Sequence, residues 1–138
     1  MGYRRHEIAP GEWYHCFARG IDKRTTFSDS SDYRRFQEAL YLCNSKTNIE
    51  RGRVQNLPHE ELLRLERGEP LVAIGAYCLM SNHFHLLLKE ISEGGISKFM
   101  QKLGTSYTMY FNVKNGRTGG LFVGPFRSRH ITEDGYLS

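Results

Sequence analysis

The chain has 138 residues, of which 39% are hydrophobic and 12% aromatic; these proportions indicate one globular domain and exclude a disordered chain. The formal net charge of +4 is mild, and no apolar run is long enough to span a membrane. The three cysteines are far apart and form no C-x-x-C pair. This pattern disfavours a disulfide scaffold or a thiolate zinc site and favours a reducing compartment, the cytoplasm.

The distribution of charge says more than the net value. From Gly94 to Ile131 there is no Asp or Glu, and the basic residues of this stretch are Lys98, Lys102, Lys114, Arg117, Arg127 and Arg129. An unopposed basic stretch is typical of a protein that binds a polyanion. The alternative is a solvated surface whose balancing acids lie elsewhere in the chain. Because aromatic residues and glycines are interleaved with the basic ones, we favour contact with nucleic acid or phosphate.

The first half of the chain predicts a strand, a helix and an insert. Residues 13–19, WYHCFAR, alternate partly and indicate a strand. The turn TFSDSSD supplies capping residues for a helix. The apolar positions of that helix recur at spacings of three and four: Tyr33, Phe36, Leu40 and Cys43. Residues 44–70 are polar and charge-balanced, which predicts a surface insert with one short candidate helix, HEELLRLERG.

The second half predicts a hairpin, a long helix and a last strand. Residues 71–80 form a near-continuous apolar run, typical of a central strand covered on both faces. A second run, HFHLLLKE at 83–90, follows after only Ser81-Asn82, so the two runs predict an antiparallel hairpin. An apolar stripe from Ile96 to Tyr110 indicates a helix that ends at Asn115-Gly116. After the glycine-rich RTGGLFVG, residues 125–131, PFRSRHI, predict the last strand.

The order of these elements is β-α-insert-β-β-α-β. It predicts an α+β, ferredoxin-like fold (split βαβ, RRM-like), with a four-stranded antiparallel sheet and two helices on one face. The other sheet face is left free, and we expect the functional site there.

Two histidines stand one residue apart in the otherwise apolar run at 83–90. Successive side chains of a strand point to opposite faces, so His83 and His85 share one face and Phe84 lies on the other. If the helices cover the Phe84 face, both imidazoles emerge on the open one, close enough to reach the same ion. A His-x-His pair is also compatible with two satisfied or solvent-exposed side chains. Two interpretations therefore remain open: a metal or phosphate site, or two histidines without a ligand. Two histidines alone also leave a coordination sphere incomplete.

At this point the residues resemble a known family. The segments that carry the resemblance, in order, are YHCFARG, AYCLMSNHFHLLLK, ISKFMQKLGTSYTMYFN, NGRTGGLFVGPFRS and EDGYL. They are similar to the single-tyrosine transposases of the HUH class, and especially to REP-associated tyrosine transposases. The resemblance covers nearly the whole chain apart from the 44–70 insert and implies the same ferredoxin-like fold.

The resemblance also implies an activity. Members of the class cut hairpin-containing single-stranded DNA through a 5′-phosphotyrosine bond and rejoin it, with a divalent metal such as Mg²⁺ or Mn²⁺. His83 and His85 match their two metal-binding histidines, and a homodimer joined at exposed edge strands such as WYHCFAR or PFRSRHI is expected. Such a protein would be cytoplasmic and associated with the nucleoid.

The position of the nucleophile departs from the family pattern. In the family the nucleophilic tyrosine stands on a further helix after the last strand, and the same helix supplies the third metal ligand. That helix would begin beyond Ser138, so the resemblance implies either a domain truncated at its C-terminus or a relic without a nucleophile, and in both cases the chain as given is not expected to cut DNA. Tyr136 is the fallback candidate. Two rivals remain open, an RRM-like module that binds single-stranded nucleic acid without cleavage and a metal-dependent hydrolase that uses water.

The acid-free stretch generates a first prediction. The affinity for single-stranded DNA should fall steeply as salt rises, because bound Lys and Arg side chains release counterions from the phosphates, with a slope of roughly −0.7 per contact in a plot of log K against log salt. Fluorescence anisotropy with a labelled oligonucleotide measures this slope. A flat response would remove the basis for a nucleic-acid partner.

Overall fold

The computed structural model describes residues 7–132. The strands are β1 (Trp13–Arg19), β2 (Val72–Met80), β3 (His83–Glu90) and β4 (Arg127–His130), and the helices are α1 (Ser30–Leu42), α2 (His59–Leu62) and α3 (Gly95–Asn115). Single 3-10 turns occur at Ile21–Lys23 and Arg51–Arg53. The strands form one antiparallel sheet in the order β2-β3-β1-β4. The predicted ferredoxin-like fold, including the antiparallel hairpin between β2 and β3, is confirmed.

The core lies between one face of the sheet and helices α1 and α3. β1 and β3 bury every second side chain, as the pairing of Cys16 with Leu86 illustrates. α1 adds Phe36 and α3 adds Phe99, each with no exposed surface. Alternation in the two central strands and a three-to-four-residue period in the helices therefore build one apolar layer.

Two expectations about strand position are wrong. The apolar run at 71–80 was expected to be central, but β2 pairs only with β3 among the described strands and forms an edge. Its middle, 75–78, is exposed, and the register shifts between Ile74 and Ala76. Conversely, WYHCFAR cannot serve as an exposed edge, because β1 lies between β3 and β4. Strand order is set by long-range pairing, which apolar composition alone does not report.

A buried carboxylate fixes the start of α3. Glu90 is 1% exposed, and its two carboxylate oxygens accept hydrogen bonds from the backbone N–H groups of Ile96 (2.7 Å) and Gly94 (2.8 Å). The carboxylate thus caps free donors at the positive end of the helix. Gly95 is required here, because a Cβ at this position would clash with the Leu71 carbonyl. The end of β3 and the beginning of α3 are therefore locked together.

The side chain of Asn44 connects the beginning of the segment 44–70 to the residues that follow its end. Asn44 Oδ1 accepts from the N–H groups of Leu71 and Val72, and Asn44 Nδ2 donates to the Val72 carbonyl. Within the segment, Val54 and Leu62 pack with Leu42 of α1 in a small apolar cluster separate from the main core. The candidate helix HEELLRLERG is helical only over His59–Leu62.

A charged cluster also holds this segment to α1. The carboxylate of Glu38, which is buried, accepts from Arg51 Nη2 at 2.5 Å and bonds His59 Nδ1 at 2.8 Å.

Within residues 7–132, no helix combines the length and the apolar character needed to cross a membrane.

The capping role of Glu90 generates a prediction. Glu90→Gln replaces one carboxylate oxygen by an amide that cannot accept, so it should lower the free energy of unfolding by about 1–3 kcal/mol. Urea unfolding followed by circular dichroism measures this change. The exposed Glu93, changed to Gln, is the matched control and should stay near wild type. Equal stabilities of the two variants would show that the cap contributes nothing.

Candidate functional site

A cleft of about 500 Å³ lies on the sheet face opposite the helices. The pairing of Arg19 with His83 and of Phe17 with His85 brings the odd-numbered residues of β1 beside the two histidines. On the other side of β1, Phe17 pairs with Arg127 and His15 with Arg129. The cleft is therefore lined by both histidines, by the arginines Arg19, Arg127 and Arg129, and by the loop residues Val123 and Pro125.

The two imidazoles of His83 and His85 are close together, and the Nδ1 atom of each contacts a neighbouring side chain. Their ring centroids lie 4.9 Å apart, with the ring planes nearly perpendicular at 88°. His83 Nδ1 lies 2.7 Å from Asn82 Oδ1, to which it donates, and His85 Nδ1 lies 2.7 Å from His15 Nε2. Within residues 7–132 neither Nε2 atom has a hydrogen-bond partner. Both histidines thus use Nδ1 for a protein contact and keep Nε2 available.

The surroundings of His85 and His15 favour the neutral form of these two rings. Burial lowers the pKa of His85, and the neighbouring His83 lowers it further. Burial likewise lowers the pKa of His15, with smaller contributions from His85 and the Arg129 guanidinium. A neutral ring has a lone pair on one nitrogen, which is the form a metal ion requires.

The two histidines are suitable ligands for a divalent ion, but they supply only part of a coordination sphere. Neutral histidines whose second ring nitrogen is held by a protein group are the usual metal ligands in proteins. However, residues 7–132 contain no cluster of three or more His, Cys, Asp or Glu side chains able to hold an ion. The pair can therefore supply two ligands, and water, a phosphate oxygen or a side chain outside this range would complete the sphere.

The predicted basic residues divide between two places. Arg127 and Arg129 lie in the cleft, whereas the other four belong to α3 or the loop after it. Lys102 Nζ donates to the Ser45 carbonyl at 2.7 Å, and burial lowers its pKa. Arg117 bonds Asn112 Oδ1 and the Gly120 carbonyl.

Lys114 and Lys98 of the same group differ in their contacts. Lys114 Nζ lies 2.9 Å from Asp29 Oδ2 and 2.8 Å from Asp32 Oδ1, at the start of α1. These carboxylates, through hydrogen bonds and charge, raise the pKa of Lys114 above its ordinary value. Lys98 is exposed, and its ammonium makes no hydrogen bond or ion pair with the described part of the chain. The acid-free stretch is thus partly neutralised by acids from α1.

The tyrosines that the structure describes all lie on the helical side of the sheet. Tyr14 and Tyr107 are at most 1% exposed, and the Tyr107 hydroxyl donates to the Thr26 carbonyl at 2.5 Å. Tyr110 donates to Asp32 Oδ1 at 2.7 Å. Tyr33 and Tyr41 stand on α1, and Tyr77 hydrogen-bonds Gln37 of α1. None of these faces the histidines. The candidate Tyr136 lies outside the described residues.

A larger groove of about 630 Å³ lies between α3 and the loop before β4, on the helical side. Its lining includes Met100, Met109 and Phe122 but no His, Lys, Arg, Asp or Glu. It offers no charged or imidazole side chain, so we place the candidate site in the smaller, charged cleft.

Sequence reasoning missed three residues of the site: His15, Arg19 and Asn82. The first two stand at odd positions of β1, as the alternation of WYHCFAR shows. Their approach to β3 depends on the strand register, which the sequence does not reveal. Asn82 was assigned only to the turn, although a side chain next to His83 was available as a hydrogen-bond partner.

The open face of this ferredoxin-like sheet thus carries a histidine pair beside three arginines. The sequence model described as "Transposase IS200 like" matches residues 43–126, more than half of the chain. The chain therefore belongs to the IS200-like transposase family.

Comparison with solved structures gives the same fold. The chain is similar to the structure described as a REP-associated tyrosine transposase bound to a REP hairpin, with a TM-score of 0.58 and 14% sequence identity. The alignment covers 96% of this chain and 63% of that one, so the chain spans less than two thirds of its neighbour. A comparison with curated protein sequences gave no match.

The contacts of Lys114 generate a prediction. Lys114→Met removes the ammonium that hydrogen-bonds the carboxylates of Asp29 and Asp32, and it leaves Asp32, which is 1% exposed, without its cation. The free energy of unfolding should fall, because a buried carboxylate loses a charged partner. Lys98→Met, an equivalent change at an exposed position of the same helix, should alter it little. Urea unfolding compares the two, and equal stabilities would contradict a structural role for Lys114.

Proposed function

We propose that the chain acts in single-stranded DNA transposition: it binds DNA that contains a hairpin and positions one phosphodiester in the cleft for cleavage and rejoining through a 5′-phosphotyrosine. The observation that carries the proposal is the convergence of His83 and His85 with Arg127 and Arg129 around one cleft on the open sheet face. Membership of the IS200-like family supports it.

The histidine pair would hold a divalent metal ion, with Mg²⁺ or Mn²⁺ as the preferred candidates. Such an ion supplies Lewis-acid chemistry, polarising a phosphodiester oxygen and offsetting the charge that grows during attack. His83 and His85 would bind through Nε2, because each Nδ1 already contacts the protein. Neutral imidazoles bind the ion without reducing its positive charge.

The arginines would bind the DNA backbone beside the histidines. Arg127 and Arg129 are exposed on β4 and two residues apart, so both project from the same face. Guanidinium groups form paired hydrogen bonds with phosphate oxygens. Arg19, opposite His83, is a third cation at the same cleft. Of the helical-layer residues, Lys98 has the freest ammonium for a phosphate further along the DNA, and Lys102, Lys114 and Arg117 remain candidates.

The nucleophile would be a tyrosine outside residues 7–132. The described tyrosine hydroxyls face the helical layer, and burial raises the pKa of Tyr107 and Tyr110, which disfavours the reactive phenolate. Tyr136 follows β4 and is the candidate within this sequence, and a tyrosine beyond Ser138 is the candidate the family resemblance favours. Attack would form a phosphotyrosine and release a 3′-hydroxyl, which can later reverse the step.

The hairpin substrate and the assembly are also part of the proposal. The solved structure with the same fold is described as bound to a REP hairpin, which supports a DNA hairpin as the ligand. A homodimer would form through an edge strand, and the exposed edges of the sheet are β2 and β4.

The histidine pair generates a test of this function. The double variant His83→Ala/His85→Ala should weaken Mn²⁺ binding, measured by calorimetry, by at least about tenfold, because even the loss of groups that support ligands costs this much. Binding of a hairpin oligonucleotide should become insensitive to EDTA in the variant but remain sensitive in the wild type. His130→Ala, on β4 outside the cleft lining, is the control and should behave as wild type.

Two outcomes would contradict the proposal. If the wild type binds the hairpin equally well with Mn²⁺ and with EDTA, the chain is a binding module and the histidines hold no functional ion. If DNA is cut with Mn²⁺ but denaturing gels show no covalent protein-DNA adduct, water rather than tyrosine is the nucleophile.

A further inference from the structure

His15 lies behind His85 and contacts it in two ways. Its Nε2 is 2.7 Å from His85 Nδ1, and the two rings are stacked with centroids 4.9 Å apart and planes inclined by 15°. His15 belongs to β1 and His85 to β3, so the contact crosses the pairing between the two central strands. It therefore fixes both the position and the orientation of the His85 ring.

His15 is not itself suited to bind an ion in the cleft. Its Nδ1 is buried and has no hydrogen-bond partner among the described residues, and its Nε2 is occupied by His85. His15 is also not part of the cleft lining. Neither of its nitrogens therefore has a free lone pair directed at a ligand in the cleft.

We propose that His15 is a positioning residue for the ion site: it engages Nδ1 of His85 so that Nε2 is the only nitrogen that His85 offers to a divalent ion. This inference rests on the proposed function, since it concerns the same ion.

Which ring donates and which accepts follows from the number of protons that two neutral rings carry. A neutral imidazole carries one proton, so a His85 ring with its Nε2 lone pair free carries its proton on Nδ1 and donates it to His15 Nε2. The proton of His15 then resides on its own Nδ1. On the other ligand, Asn82 Oδ1 accepts from His83 Nδ1 at 2.7 Å. Two different groups thus serve the two histidines in the same manner, which is how outer contacts usually orient metal-binding histidines.

If His15 had a purely structural role, it would act through the packing of its ring and not through its hydrogen bond. The ring also stacks on Phe17, with centroids 4.9 Å apart, and so packs against both Phe17 and His85. A phenylalanine would preserve this packing and remove the hydrogen bond. If packing were the only role, His15→Phe would leave the ion site unchanged.

The experiment measures Zn²⁺ binding to the purified chain by calorimetry, with Zn²⁺ as a diamagnetic probe of the imidazole pair. His15→Phe should weaken binding by about 10–100-fold, the usual effect of losing a group that orients a ligand. His15→Gln, whose amide oxygen can accept near the position of Nε2, should bind more tightly than His15→Phe. His130→Phe, the same change on β4, should bind as wild type; its Nε2 contacts Glu12 instead. Thermal melting verifies that each variant is folded.

Nuclear magnetic resonance measures the hydrogen bond directly, in a signal that ring packing alone does not produce. With ¹⁵N-labelled histidines, a ¹⁵N–¹⁵N coupling across the hydrogen bond should link His15 Nε2 to His85 Nδ1, and with Zn²⁺ the bridging proton should reside on His85. Wild-type affinity in His15→Phe, or a missing coupling, would overturn the role of His15. A wild type that binds Zn²⁺ no better than His83→Ala/His85→Ala would instead overturn the ion site itself.

Discussion

The antiparallel pairing of β1 with β3 is the constraint on which the rest of the structure depends. The register matches Cys16 with Leu86 on the core face and Phe17 with His85 on the open face. Because side chains alternate, a slip of one residue would turn Leu86 and Leu88 toward solvent and the two histidines of β3 into the core. Burial of Phe84, Leu86 and Leu88 therefore selects the register that exposes the imidazoles. The same apolar contacts that stabilise the fold orient its candidate site.

Local patterns in the sequence were sufficient for the elements and the fold class. The alternation around His83 and His85, the two-residue turn and the apolar stripe of α3 each depend on neighbours close in the chain, and each prediction of a structural element from them is confirmed. Strand position was harder to infer. The exposed positions of β2 are uncharged, and residues such as Gly75, Ala76, Tyr77 and Cys78 are compatible with either an edge or a central strand. Only the pairing of β1 with β4 distinguishes the two.

Charge and hydrogen-bond partners also depend on distant residues. The stretch from Gly94 to Ile131 contains no acid, yet Lys114 reaches Asp29 and Asp32 more than eighty positions earlier. A charge count along the chain therefore overstates the free positive charge of the helical layer. The partnership of His15 with His85 spans seventy positions and could not be predicted without the register. Candidate ligands could be found from a local motif, while the groups that orient them could not.

The two faces of the sheet have separate tasks, and this separation bears on the nucleophile. Tyrosine side chains serve the helical layer, where Tyr107 is fully buried and Tyr110 joins the Asp32 network. A reactive phenol needs the opposite surroundings, an accessible hydroxyl beside a cation. The open face offers those surroundings with its imidazoles and arginines, but the tyrosines of residues 7–132 do not reach it. Under the proposed function, the cleft would hold the phosphodiester, and the attacking tyrosine would come from outside residues 7–132.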